Sequence, residues 1–324
     1  MKTYILLLLT CMCSCFALAQ QNCIVVAKDG SGNYATIQDA FNAIPCNNTQ
    51  PVTILVKKGV YKERLILDSG KQFVTLKGED KNDVLVTYNN HSGMHLANGD
   101  TINTWTSASF FIYANHFTAE NIHFENNAGF YAGQAVALFV YADCAAFYNC
   151  SITGFQDVLF CSGPGSRQYY RNCYIEGTTD FIFGPATAVF DSCTIFSKKN
   201  SHVSAASTPK ELPFGFVFRN CTLLADSSLH NVSLGRPWQP YASVTYLHCY
   251  IGAHIIPGGW NNWKNVANEK TARFAEFQNV GPGALPEKRY PWVRQLSQQE
   301  AAIFTLKNIF GSWHPPHAYL HSIQ

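Results

Sequence analysis

The chain has 324 residues, 47% hydrophobic, 14% aromatic and 14% charged, with a formal net charge of +2. That supplies apolar material for a large core in one or two domains. The near-neutral charge, with no basic run, excludes a protein built to grip nucleic acid.

The first element in chain order is a secretory signal. Lys2 precedes the apolar stretch YILLLLTCMCSCFALA, and ALA forms a small-residue cleavage site ending at Ala19. A membrane anchor is the alternative, but the stretch is shorter than the roughly 20 residues that span a bilayer and is interrupted by cysteine–serine positions. No later segment is long and apolar enough to cross. The expectation is therefore a signal peptide over 1–19 and one secreted, extracellular domain over 20–324. No membrane contact is expected after cleavage.

Nine cysteines remain beyond the signal, at 23, 46, 144, 150, 161, 173, 193, 221 and 249. An odd number in an oxidising compartment leaves at least one unpaired. There is no CxxC pair, and the histidines lack metal-ligand spacing, so neither a metal nor a cofactor is expected.

Next, TIQDAFNAI places Thr36 and Asp39 at capping positions and Ile37, Ala40, Phe41 and Ile44 on one face of a short helix. Five segments then share one pattern, aromatic-x-x-Cys-x-aliphatic: FYNCSI, YRNCYI, FDSCTI, FRNCTL and YLHCYI. Their cysteines are Cys150, Cys173, Cys193, Cys221 and Cys249, and a weaker copy, FTAENI, precedes them. Self-similarity at this period in short β-rich units indicates a solenoid of strands. The fold class is all-β, a parallel β-helix whose cysteines form an internal ladder of small apolar side chains. Asn149, Asn172 and Asn220, just before the cysteines, suggest a stacked turn or polar edge. The open ends need cover. The first helix would plug the N-terminal end. A C-terminal helix in LSQQEAAIFTLKNIFG, with Ser297 and Glu300 as its capping box and Gly311 as its stop, would lie along the outside. Nothing between these caps reads as a linker.

Within the repeat, GFQDVLF and GTTDFIFG each put an aspartate ahead of an apolar strand. Counted back from the cysteines, Gln134, Asp157 and Asp180 fall at one position on three successive coils, and Arg236 falls near the same column. A single aspartate there would read as a turn cap, and carboxylates also bind hard cations. Two carboxylates about one strand spacing apart, with an amide and a guanidinium alongside, instead suit acid–base chemistry.

The segments GVYKERL, QAVAL, GFQDVLF, DFIFG and LGRPW, in this order, resemble the five signature segments of the pectin methylesterases. The resemblance extends through GGWNNW and NVGPG to the terminal helix. It implies a right-handed parallel β-helix, in agreement with the repeat. It also implies hydrolysis of methyl esters of homogalacturonan, with the pectin polysaccharide as the partner and a monomeric chain. Asp180 would be the nucleophile, and Asp157 the acid that protonates methanol and later the base for water. Gln134 and Gln156 would donate to the oxyanion, and Arg236 would orient and ionise Asp180. Trp238 and Trp260 would stack on sugar rings, although a lone tryptophan is as a rule a core residue, and Phe160 would contribute to substrate binding. The chain departs from the family pattern at Val158, where threonine is usual, at Phe160, usually tyrosine, and at Phe139, often basic. The last two bear on subsites for charged or methylated sugars. The inhibitory N-terminal domain of many plant members is not expected.

A polygalacturonase also uses paired aspartates, but it needs room between them for water. A catalytically silent carbohydrate-binding solenoid should lack one of Asp157, Asp180 or Arg236. Sequons stand at Asn47, Asn90, Asn149, Asn220 and Asn231; Asn149 and Asn220, lying inside the repeat, are expected to be inaccessible.

Overall fold

The computed structural model describes residues 23–317, so the signal expected over 1–19 lies outside the described residues. The chain winds as a right-handed parallel β-helix. Three sheets of eleven, eight and seven strands run its length, and every strand pairs in parallel with its counterpart one coil away. One coil shows the plan: Ala145–Tyr148 lies in the eleven-stranded sheet, Ser151–Thr153 in the eight-stranded one and Leu159–Cys161 in the seven-stranded one.

The sequence repeat is the inside of this helix. Its aromatic positions, Phe147, Tyr170, Phe190, Phe218 and Tyr246, stack coil on coil with ring centroids 4.8, 4.8, 4.6 and 4.4 Å apart and nearly parallel planes. Its cysteines are buried and unbonded to one another. The residue before each cysteine makes the bend between two sheets. Asn149, Asn172 and Asn220 adopt the left-handed conformation (φ 50°, 53° and 54°), joined by Asn121, Ser192 and His248. Asparagine leads at these bends because it tolerates the left-handed region better than most residues. These bends point outward, so Asn149 and Asn220 are exposed, contrary to the expectation that they would be inaccessible.

Both ends are covered. Helix α1 (Ile37–Ala43) is capped by Thr36 and buries Ile37, Ala40 and Phe41 against the first coils, where Phe41 stacks on Phe110. The C-terminal segment folds as two short helices rather than one, α2 (Gln298–Ala301) and α3 (Leu306–Phe310), because Thr305 caps a second start. The Ser297–Glu300 capping box forms. Leu306, Ile309 and Phe310 pack on Tyr169, Val189, Val217 and Phe277, on the outer face of the eleven-stranded sheet. Among the described residues no helix is long and apolar enough to cross a membrane.

Candidate active site

The site lies on the outer face of the seven-stranded sheet. Asp157 and Asp180 stand at the bends that enter this sheet, two residues ahead of the paired Leu159 and Ile182, and so in register on adjacent coils. Both are left-handed (φ 61° and 49°), which an aspartate accepts more readily than most residues and which turns each carboxylate out of the strand line. Their amides donate to Thr179 O (3.1 Å) and His202 O (2.8 Å), fixing each bend to the next coil.

The register corrects the sequence expectation at two points. Gln134 pairs with Gln156 rather than standing under Asp157. The amides of Ala137 and Leu138 both donate to Val158 O, a bulge that absorbs one extra residue in QAVAL. Arg236 is not in the aspartate column. It pairs with Ala205, which pairs with Phe183, three positions farther along the strand than Asp180. Its equal distance from its cysteine conceals this, because the turn from Pro237 to Ser243 is three residues longer than that from Gly184 to Thr187.

The long arginine side chain closes the gap. Arg236 Nε donates to Asp180 Oδ1 at 3.0 Å and Nη2 to Oδ2 at 2.6 Å, a bidentate pair. Its guanidinium lies 3.7 Å from the centroid of the Trp263 ring. Trp263 itself has φ 60°, a backbone state that is uncommon for a bulky residue and concentrates at functional sites.

The two carboxylates therefore sit in unlike surroundings. Burial pushes Asp157 up to about 8, the charge of Asp180 adds to the rise, and Arg236 and the Gln156 amide oppose it. Burial also raises Asp180, but by less, because the Arg236 hydrogen bonds and charge pull against it. Burial thus favours the proton on Asp157, while the arginine clamp favours the anion on Asp180. The next residue up the column, His202, is pushed down to about 4 by burial and by Arg236, so it is neutral; its Nδ1 lies 2.7 Å from Ser233 Oγ.

A cleft of about 260 Å³ opens over these groups, lined by Gln134, Gln156, Asp157, Asp180, Arg236 and Trp238, together with Thr104, Trp105 and Trp263. Phe183 lines it too, and it ends a column of outward rings, Phe111, Phe139, Phe160 and Phe183, one per coil. Trp105 arrives from the loop before Phe110–Ile112 and stacks on Trp238 with centroids 5.8 Å apart. It also leans on Phe160 at 5.1 Å. Phe160, stacked on Phe183 and only 6% exposed, supports the cleft from beneath instead of meeting a ligand directly.

Trp260 is a correction: it is fully buried and lines no part of this cleft. Leu234 donates to Gly259 O and Asn261 to Gly235 O, so the segment runs like an added strand and turns the intervening side chain inward. There Trp260 stacks on Phe274 and donates from Nε1 to Glu276, which Arg289 holds from the other side. The second tryptophan of GGWNNW, Trp263, takes the place at the site. Sequence reasoning missed Trp105 and Trp263; for Trp263 the neighbouring motif was a usable signal, whereas Trp105 lies outside any repeat. Among the described residues no group of three or more histidine, cysteine or acidic side chains is arranged to hold a metal ion.

Comparison with known proteins gives the family of the chain. The pectinesterase family model matches residues 23–312. Pectinesterase 31 of Arabidopsis thaliana is 37% identical over 292 residues, 89% of this chain and 92% of that protein. The chain spans about half (51%) of a longer relative, the probable pectinesterase/pectinesterase inhibitor 23 of the same plant. The pectin methylesterase from carrot superposes with a TM-score of 0.81 at 32% identity, over 90% of this chain and 94% of that one. A pectin methylesterase in complex with a hexasaccharide gives 0.80 at 28%, over 90% and 98%. The chain belongs to the pectinesterase family and is a carboxylic ester hydrolase of the kind that demethylates pectin.

Proposed function

We propose that the chain is a secreted enzyme that hydrolyses the methyl esters of homogalacturonan through an acyl-enzyme on Asp180. The observation that carries this reading is the unequal pair: an arginine-clamped carboxylate beside one that burial keeps protonated to about pH 8.

Asp180, as the anion, attacks the ester carbonyl carbon, and the carbonyl π electrons move to oxygen. Gln134 and Gln156, on adjacent coils at the cleft, donate to that oxyanion. As the intermediate collapses, the C–O bond to the methoxy group breaks and the Asp157 proton goes to the departing oxygen, releasing methanol. Asp157, now an anion, takes a proton from water as the water oxygen attacks the acyl carbon; the bond to Asp180 breaks, restoring its anion, and the galacturonic acid released loses its proton to solvent. Arg236 keeps Asp180 ionised before the attack and aimed throughout. Trp105, Trp238 and Trp263 form the apolar walls that meet the sugar and its methyl group. Removal of a signal over 1–19, a single domain over 20–324, action outside the cell and a monomeric state belong to the same proposal. The hexasaccharide held by a structural relative supports a polysaccharide substrate.

The test is to incubate the purified protein with methylated pectin and measure methanol and new reducing ends separately. Methanol and acid without matching reducing ends are expected; equal yields of reducing ends would replace this reading with chain cleavage.

A further inference from the structure

Beside the cleft, on the corner where the eight-stranded sheet turns into the seven-stranded one, an aromatic cluster faces solvent. Tyr131 is 95% exposed and Phe130 40%. The Phe130 ring lies 5.0 Å from Tyr131 and 6.0 Å from Phe155, edge-on in both cases. Two lysines crown it: Lys198 Nζ is 4.2 Å from the Phe155 ring centroid and Lys199 Nζ is 5.8 Å from that of Phe130. Lys198 is paired with Glu176 at 2.9 Å, whereas Lys199 makes no ion pair among the described residues.

Isolated exposed apolar residues need no explanation, but clustered ones mark contact surfaces. This cluster is continuous with the cleft. The Phe130–Tyr131 loop lies between Gly129 and Gly133, both at positive φ, and runs directly into Gln134. Phe155 immediately precedes Gln156 and Asp157. Lys198 and Lys199 stand just before Ser201 and His202 on the coil above Asp180. These rings therefore flank the cleft along the chain.

We propose that Phe130, Tyr131, Phe155 and Lys199 form a binding platform for galacturonan outside the reacting sugar, its rings packing on sugar faces and Lys199 meeting a free carboxylate. The chemistry suits that occupant: flat apolar faces for pyranose rings, and one uncommitted cation for a polymer whose demethylated units are anionic. The inference rests on the esterase reading and adds a site to it.

The test uses the full chain and de-esterified oligogalacturonates of graded length, which bind without being turned over. Tyr131→Ala and Lys199→Ala should each weaken binding of the longer oligomers roughly two- to fivefold, the worth of an exposed ring or cation contact. The Lys199 effect should shrink at high salt. Methanol release from a short esterified oligomer should keep its kcat in both variants, while KM rises on long pectin. Unchanged affinity and unchanged KM in both variants would overturn the platform. A dimer that Tyr131→Ala dissolves, with sugar binding unaltered, would overturn it in favour of a second copy of the chain. Failure of the unsubstituted protein to release methanol from the short oligomer is a separate result, which strikes the esterase reading instead.

Discussion

The inside and the outside of the β-helix use the same repeat in opposite ways. Inside, position after position is filled alike: rings on rings from Phe147 to Tyr246, and thiols on thiols from Cys150 to Cys249. Outside, the column begins as a repeat, Phe111, Phe139, Phe160 and Phe183, and then breaks to Ala205 and Arg236. Uniform filling stabilises a solenoid through each neighbour contact. The break makes room and brings a charge. Alanine opens the space above Phe183, and the arginine one coil on reaches back through it to Asp180.

Substitutions that separate the two columns should differ in kind. The largest effect belongs to Asp180→Asn, which leaves an amide in place of the attacking anion. Methanol release should fall by a factor on the order of 10⁴ or more, with the thermal transition retained. Asp157→Asn removes the proton donor but leaves the nucleophile, and a loss of about 10²–10⁴-fold is expected. Its stability has a defined pH signature. The folded chain holds the Asp157 proton to about pH 8, whereas an unfolded chain releases it near about 4. The stabilisation from that raised value is complete at low pH and is lost as pH rises through 8. Asp157→Asn should thus gain stability over the unsubstituted chain across this window, and not below it, in melts at graded pH.

Phe190→Ala, inside, should do the reverse. It removes a fully buried ring stacked on both Tyr170 and Phe218. A loss of about 3–5 kcal/mol by denaturant titration is expected, with near-normal kcat per folded molecule. The smallest effect should come from Trp105→Ala, which takes away the ring over Trp238 and Phe160. KM should rise roughly two- to tenfold. The alkaline limb of the rate profile should also move to lower pH, because more water reaches Asp157. If Trp105→Ala instead lowered the melting point without touching KM, the ring would be part of the scaffold.

Most of the fold was legible because the interior ladder is periodic in sequence: the aromatic and cysteine positions announce the coil, and Thr36, Ser297 and Glu300 announce the caps. The two aspartates were legible for the same reason, since each follows the cysteine of its coil, Cys150 or Cys173, by seven residues. Arg236 was located by its motif but misplaced by three positions, because a long turn restored its spacing to the cysteine. Gln134 was misplaced by the bulge at Ala137 and Leu138. Trp260 was misread because the direction of a side chain next to Gly258 and Gly259 depends on backbone pairing with Leu234 and Gly235, which no local pattern encodes. Trp105 was invisible because its contacts, Phe160 and Trp238, are distant in sequence and its loop breaks the repeat.

The central claim is that Asp157 carries a proton at neutral pH while Asp180 does not. It is tested most directly by following the aspartate carboxyl carbons by ¹³C NMR as pH is raised, in the unsubstituted protein and in Asp157→Asn. One buried carboxyl should stay protonated up to about pH 8 and be missing from the Asp157→Asn spectrum. If every aspartate signal had completed its titration in the ordinary carboxylate range, with none lost on substitution at Asp157, the division of labour between the two carboxylates would be contradicted.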